Sequence, residues 1–196
     1  MKSKGGGTLG AQLWFHPAPW RPDPAEALRA LQAQFLAETY DLPAFVKERL
    51  ASTRQAVRIT EADGDEYGIL DIYRESLALL EDVASRPLPE EPSQQIQLIR
   101  AICADSGEGI GNVLDVTGVS DQGEPPEARR LAIEEVRRFC ATDRPVLAQA
   151  EAAVGGINEM LGRGECICFP FHVSNDDVSN DDATPSGWYF VGNTID

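Results

Sequence analysis

The chain has 196 residues, of which 42% are apolar and 25% are charged, proportions typical of one soluble globular domain with a buried core. Its 17 basic and 32 acidic side chains give a net charge of −15. Nucleic acids and anionic membranes are bound through Lys and Arg, so this balance disfavours both functions and favours a basic protein as the partner.

The cysteine content and the start of the chain indicate the compartment. The four cysteines are Cys103, Cys140, Cys166 and Cys168. They are too few for a disulfide framework in a chain of this length. The first residues lack the apolar segment of a secretory signal, and no run is long enough to span a membrane. We therefore expect a cytoplasmic protein with free thiols and no membrane association.

The first half of the chain predicts one strand followed by helices, after a glycine-rich tail at residues 1–8 that we expect to be disordered. Residues 9–16 alternate apolar and polar side chains, which indicates a strand with Phe15 on its buried face. Asp23 and Pro24 supply an N-cap and a first helical residue. Helices are predicted over residues 24–38, 43–50, 69–84 and 93–103, with a short strand at 56–60.

The second half predicts a strand and two helices ahead of a closing hairpin. The proline-rich residues 87–92 precede it and are the best position for a subdomain boundary. Residues 112–119 form an apolar run typical of a buried strand. Residues 127–141 predict an amphipathic helix in which Arg130 pairs with Glu134 one turn later. A final helix is predicted to begin at Pro145.

The C-terminal hairpin is the strongest local signal in the chain. Residues 164–173 and 187–193 are two short runs rich in aromatic and β-branched side chains, joined by a polar segment. In the first run Ile167, Phe169 and Phe171 occupy alternate positions. Because successive side chains point to opposite faces of a strand, we expect these three on the core.

Together these elements predict an α+β fold. We expect an antiparallel sheet of about four strands, including the C-terminal hairpin, with five or six helices packed mainly on one face. The strands are expected at residues 9–16, 112–119, 164–173 and 187–193. All of them would belong to a single domain over residues 9–196.

Several segments in the second half of the chain are similar to segments of a known group of proteins. They are Asp105-Ser-Gly-Glu-Gly, Val113-Leu-Asp-Val116, Phe139-Cys-Ala-Thr-Asp-Arg-Pro145, Gly162-Arg-Gly-Glu165, Trp188-Tyr-Phe-Val-Gly192 and Asp196. Through them the chain resembles a family of small, uncharacterised, acidic bacterial proteins. The resemblance covers about half of the chain, residues 104–196. Since these motifs are structural in character, the resemblance implies a shared domain and no particular activity.

Three residues with soft metal-binding atoms are predicted on one face of a strand. Cys166, Cys168 and His172 fall at alternate positions opposite the apolar face, and His16 ends another predicted strand. Thiolate and imidazole suit zinc, which usually takes four such ligands. However, residues on one face of a strand lie about 7 Å apart, and small cysteines packed beneath helices give the same pattern. We therefore predict no cofactor and keep these four residues as metal candidates.

Two acidic segments are candidate sites, the first for partner binding and the second for hydrolytic chemistry by paired carboxylates. The first, with Trp188 close after it, contains Asp176, Asp177, Asp181 and Asp182. It lacks the ligand spacing of an EF-hand, and it could bind divalent cations weakly, present negative charge to a basic partner or form a solvated loop. The second segment contains Asp63, Asp65, Glu66 and Asp71. A turn followed by the start of a helix accounts for those carboxylates.

Two classes of function therefore stay open. The first is an acidic, non-catalytic protein-binding domain, such as an immunity or antitoxin-like inhibitor of a basic partner, or an accessory subunit. The alternative is an enzyme or a small-molecule or metal-binding domain with a site near Cys166, Cys168 and His172. The chain has only two histidines and no Gly-x-Ser-x-Gly motif, and we therefore lean toward the first class. The oligomeric state is left open.

Overall fold

The computed structural model describes residues 12–65, 67–105, 109–173 and 184–193. Its strands are β1 (Leu13–Pro19), β2 (Gly118–Ser120), β3 (Glu127–Arg130), β4 (Cys166–Phe171) and β5 (Gly187–Asn193). Its helices are α1 (Pro24–Thr39), α2 (Leu42–Asp63), α3 (Leu70–Ala84), α4 (Pro92–Asp105), α5 (Ile133–Cys140) and α6 (Leu147–Met160), with a 3-10 turn, η1, at Val113–Asp115. Within the described residues, no helix has the length and apolar character needed to cross a membrane.

The strands form one mixed sheet in the order β1-β5-β4-β3-β2. β5 is antiparallel to both β1 and β4, whereas β3 is parallel to both β4 and β2. The predicted α+β class and the C-terminal hairpin are therefore confirmed, and the prediction of an antiparallel sheet is wrong. The chain crosses over from β3 to β4 through α5 and α6, which brings the two strands into parallel register.

β3 replaces the start of a predicted helix. The helix expected over residues 127–141 begins only at Ile133, because residues 127–130 pair with β4 and β2 instead. Arg130 therefore lies on a strand, and the predicted helical pairing with Glu134 is wrong. Its guanidinium contacts Asp121 instead, at 2.9 Å. Long-range strand pairing overrides helix propensity at this position.

Two other predicted strands also differ from the structure. Residues 56–60 lie inside α2, which continues to Asp63. Residues 112–119 form the η1 turn, where the Asn112 side chain accepts a hydrogen bond from the Leu114 N–H, and then the start of the short strand β2. A local side-chain hydrogen bond to the backbone thus competes successfully with extended structure.

The chain divides into two compact units. The first comprises residues 1–31 and 111–196 and contains the whole sheet with α5 and α6. The second comprises residues 32–110 and contains α2, α3 and α4. The proline-rich segment 87–92, where a subdomain boundary was expected, lies inside the second unit. The single domain over 9–196 stays a prediction, and the tail at 1–8 lies outside the described residues.

The core of the first unit lies between one face of the sheet and the helices α5 and α6. Ile167, Phe169 and Phe171 are buried there, as the alternation predicts. They are joined by Tyr189 and Val191 of the neighbouring strand, which lie on the same face. The helices contribute Val136, Cys140, Ala150, Ala153, Val154 and Ile157.

The opposite face of the sheet is buried as well, and this reverses the prediction for β1. Trp14 and Ala18 are buried, whereas the Phe15 side chain is 46% exposed. The indole of Trp14 lies across Gly192, where an added Cβ would come within 2.2 Å of the ring. The large side chain of Trp14 therefore fills the space that a glycine leaves on the adjacent strand.

Candidate functional site

The two cysteines of β4 occupy one face of the strand, as predicted, but this face is covered. Cys166 and Cys168 are 4% and 0% exposed. Burial raises the pKa of Cys166 well above its usual value and the pKa of Cys168 to about 12. The Cys166 thiol lies 3.6 Å from the carbonyl oxygen of Ile167 and donates a hydrogen bond to it. Both thiols are therefore protonated at neutral pH and are poor nucleophiles.

The two histidines lie at other positions in the sheet. His16 pairs across β1 and β5 with Phe190, which in turn pairs with Cys168. The Phe190 position thus separates His16 from the cysteine strand, and the His16 ring stacks on Trp14 at 6.0 Å between centroids. Burial lowers the pKa of His16. His172 is 3% exposed and follows the end of β4, where its backbone bridges to Val146.

The described part of the chain holds no group of three or more His, Cys, Asp or Glu residues that could bind a metal ion. A cavity of about 190 Å³ does reach Cys166. Its walls also include Arg129, Met160 and Glu165. Arg129 is held there by a two-point ion pair with Glu135, at 2.7 and 3.0 Å. This cavity is the feature of the structure that corresponds to the predicted small-molecule site.

Trp188 lies in the sheet rather than on the surface. Its side chain is 4% exposed, and its ring stacks on Trp20 at 5.4 Å between centroids. The indole N–H donates a hydrogen bond of 2.9 Å to the carbonyl oxygen of Arg21. In this position Trp188 offers a partner almost no surface. The acidic residues expected to act with it, Asp176, Asp177, Asp181 and Asp182, lie outside the described residues.

The other acidic segment forms the turn between α2 and α3, and residues 58–75 are termed the α2–α3 tip below. The Asp65 carboxylate accepts hydrogen bonds from the backbone N–H groups of Ile69, at 2.7 Å, and Leu70, at 3.2 Å. It therefore caps the start of α3. Gly64 and Gly68 adopt φ angles of +89° and +66°, which favour glycine over other residues. The predicted turn and helix start are thus both present.

An arginine ties the two helices together at this tip. The Arg74 guanidinium lies 2.9 Å from the Glu61 carboxylate of α2 and 3.4 Å from the Asp71 carboxylate of α3. These ion pairs join α2 to α3 beside the hydrogen bonds that Asp65 accepts. Tyr67 lies between the two helices with its side chain 81% exposed.

Tyr67 is the candidate binding residue that the sequence does not reveal. It has the largest exposed fraction among the exposed large apolar side chains of the described residues. Its position between two turn-forming glycines, beside a run of carboxylates, is visible in the sequence Gly64-Asp-Glu-Tyr-Gly68. That pattern predicts a turn, but it does not show whether the aromatic ring folds back onto the protein or points to solvent.

Comparison of the chain with protein-family models, with curated proteins and with solved structures finds no match.

Proposed function

We propose that this protein is an acidic, non-catalytic binding domain for a basic protein, acting as an immunity or antitoxin-like inhibitor or as an accessory subunit. The observation that carries the proposal is the net charge of −15, which is divided almost equally between the two compact units. The first unit has 10 basic and 17 acidic side chains, a net charge of −7. The second has 7 basic and 15 acidic side chains, a net charge of −8. A field of one sign over both units speeds encounter with a partner of opposite charge.

The acidic tip between α2 and α3 supports the proposal. Its 18 residues contain six acidic and two basic side chains, a net charge of −4. The free thiols agree with a reducing compartment such as the cytoplasm.

The proposal is tested by affinity capture from the native cell at low ionic strength, followed by binding measurements with the purified partner. An unrelated acidic protein of similar net charge serves as the control bait. We expect a partner with basic surface charge, whose Kd rises steeply with salt because screening weakens the attraction. A partner without excess positive charge, bound equally well at low and high ionic strength, would contradict the proposal.

A second candidate function, small-molecule or metal binding, is favoured by the cavity beside Cys166. We infer that a ligand of this cavity would meet the Arg129 guanidinium and the Glu165 carboxylate. Metal analysis and thermal-shift measurements on the purified protein test this function. Stoichiometric zinc that is lost in Cys166→Ala would support it. A metal-free protein whose melting temperature no small molecule raises would count against it.

A further inference from the structure

We propose that a groove between α3, the proline-rich segment 87–92 and α4 receives a large apolar side chain of the basic partner, with Lys or Arg beside it in the partner. The inference rests on the proposed function and adds the surface and the chemistry of the contact. The groove lies within the second compact unit and has a volume of about 340 Å³. Its apolar walls are formed by Val83, Pro87, Leu88, Pro89 and Leu98.

The lining of the groove selects an apolar occupant. Five of the seven side chains that line it are apolar. Val83 is buried, whereas Leu88 and Leu98 are half-buried and offer apolar surface to the groove. Sites that bind ligands are concave and mostly apolar, with volumes of roughly 300 to 1,000 Å³. At protein interfaces, the side chains that dominate the binding energy fill pockets of this kind.

The only charged side chain in the walls is already neutralised. The Arg86 guanidinium forms an ion pair with the Asp82 carboxylate, four residues earlier in the chain. A guanidinium that is paired in this way attracts an acidic partner only weakly. Arg86 therefore does not turn the groove into a site for an anion.

Carboxylates at the end of the groove decide the charge of the partner. Glu90 and Glu91 directly follow Pro89 of the wall, and both are exposed. The Gln95 side-chain amide donates hydrogen bonds to the carbonyl oxygens of Pro89 and Glu90, at 2.9 and 3.1 Å, and so holds this end of the wall at the start of α4. Among the described residues, neither carboxylate forms an ion pair. They repel an acidic partner and complement Lys or Arg next to the apolar anchor.

The probe is a random peptide library displayed on phage and selected on the full-length protein at low ionic strength. Enriched peptides are synthesised with a fluorescent label, and their Kd values are measured by anisotropy. We expect them to carry a large apolar residue with Lys or Arg beside it. Replacing that apolar residue with Ser should weaken binding about tenfold or more, because the anchor supplies most of the binding energy.

A pair of matched variants tests whether the peptides occupy the groove. Gln94 lines the groove but is itself exposed, so that Gln94→Trp fills the groove without altering the core. It should weaken peptide binding about tenfold. Gln55→Trp places the same side chain at an exposed position of α2, outside the groove walls, and should leave Kd unchanged. Circular dichroism checks that both variants are folded.

A second pair tests the charge of the occupant. The double substitution Glu90→Gln and Glu91→Gln should weaken peptide binding about three- to fivefold at low ionic strength and less at high ionic strength. Glu48→Gln with Glu75→Gln removes two other exposed charges of the same unit and should change Kd by less than about 1.5-fold. Equal losses for the two double variants would mean that general acidity, and not this end of the groove, attracts the peptides.

The possible failures are distinct. If basic peptides are enriched but bind Gln94→Trp as tightly as the original protein, the inference is overturned and the proposed function stands. If the peptides lose affinity for Gln94→Trp but carry no excess of Lys or Arg, the occupant is wrong and the proposed function loses its support. If no peptide is enriched, the inference is overturned, while capture of a basic partner from the native cell still decides the proposed function.

Discussion

At the scale of single residues, glycines decide where large side chains can lie. Gly192 stands opposite Trp14 in the register of β1 and β5. An added Cβ there would lie 2.2 Å from one carbon of the Trp14 indole. Gly123 likewise lies against Arg129, since an added Cβ would come within 2.1 Å of the Arg129 Cβ. Small residues at these positions let the adjacent chain approach closely.

We expect Gly192→Ala to lower the free energy of unfolding by about 1 to 3 kcal/mol, because the methyl group overlaps a buried ring that has little room to move. Urea unfolding measures the effect. Gly155→Ala is the matched control: an added Cβ at this position in α6 has nothing within 4 Å. It should raise stability by about 0.5 to 1 kcal/mol, because alanine favours helix. Equal effects of the two substitutions would contradict the reason given for Gly192.

At the scale of secondary-structure elements, the edge strand β1 is protected against pairing with another chain. Trp20 donates its backbone N–H to Ser186, on the side of β5. Successive residues of an antiparallel strand point their backbone N–H and C=O groups to opposite sides. Because the backbone N–H of Trp20 points toward β5, the backbone groups of Pro17 and Pro19, an odd number of residues away, point away from β5. Proline has no N–H, and its presence at outward positions prevents strand addition.

The double substitution Pro17→Val and Pro19→Val should therefore promote self-association, because it restores two outward N–H donors on an exposed edge. Multi-angle light scattering over a range of protein concentrations measures the effect. Pro87→Val, at an exposed position outside the sheet, is the control and should leave the molecular mass unchanged. A double variant that keeps the mass of the original protein would show that the prolines do not protect this edge.

The ion pair at the start of α5 predicts that the stability of the protein depends on pH. The Arg129 guanidinium, which donates hydrogen bonds to the Glu135 carboxylate, lowers the pKa of Glu135 below its ordinary value of 4.5, and the N–H of Ala132 adds to this effect. A lowered pKa in the folded state stabilises the protein above the unfolded pKa. This stabilisation is lost as the pH falls through the lower folded pKa.

Glu135→Gln should therefore lower the free energy of unfolding by about 1 kcal/mol at neutral pH. The loss should be smaller at acidic pH, where the Glu135 carboxylate of the original protein is protonated and therefore uncharged, like the Gln side chain. Urea midpoints measured from neutral pH to below pH 4.5 give the comparison. Glu134→Gln, at the adjacent exposed position, should change the urea midpoint little at any pH in this interval. A cost for Glu135→Gln that stays constant across this interval would contradict the role of the ion pair.

At the scale of the whole molecule, the net charge of −15 opposes compaction through repulsion among carboxylates. We expect the urea midpoint to rise when sodium chloride is added at low ionic strength, since screening reduces this repulsion. A non-ionic osmolyte at equal osmolality controls for general solute effects. A midpoint that falls steadily with salt would mean that attractive ion pairs outweigh the repulsion.

Features whose cause is local could be predicted from the order of the residues alone. Alternation in residues 164–173 predicts the hairpin strand and the burial of Ile167 and Phe169, because strand geometry alone assigns the faces. The segment around Asp65 was correctly predicted as a turn and helix start, because its carboxylate caps a helix only a few residues away. The net charge, from which the proposed function follows, is likewise a property of composition.

Features that depend on residues far apart in the chain could not be predicted in this way. Residues 127–130 pair as β3 because β4 and β2 are available as neighbours. Trp14 rather than Phe15 is buried because Gly192 leaves space on the adjacent strand. Tyr67 is exposed because the packing of α2 against α3 leaves the turn between them in solvent. In each case the free energy comes from contacts between residues far apart in the chain, which local propensity and periodicity do not contain.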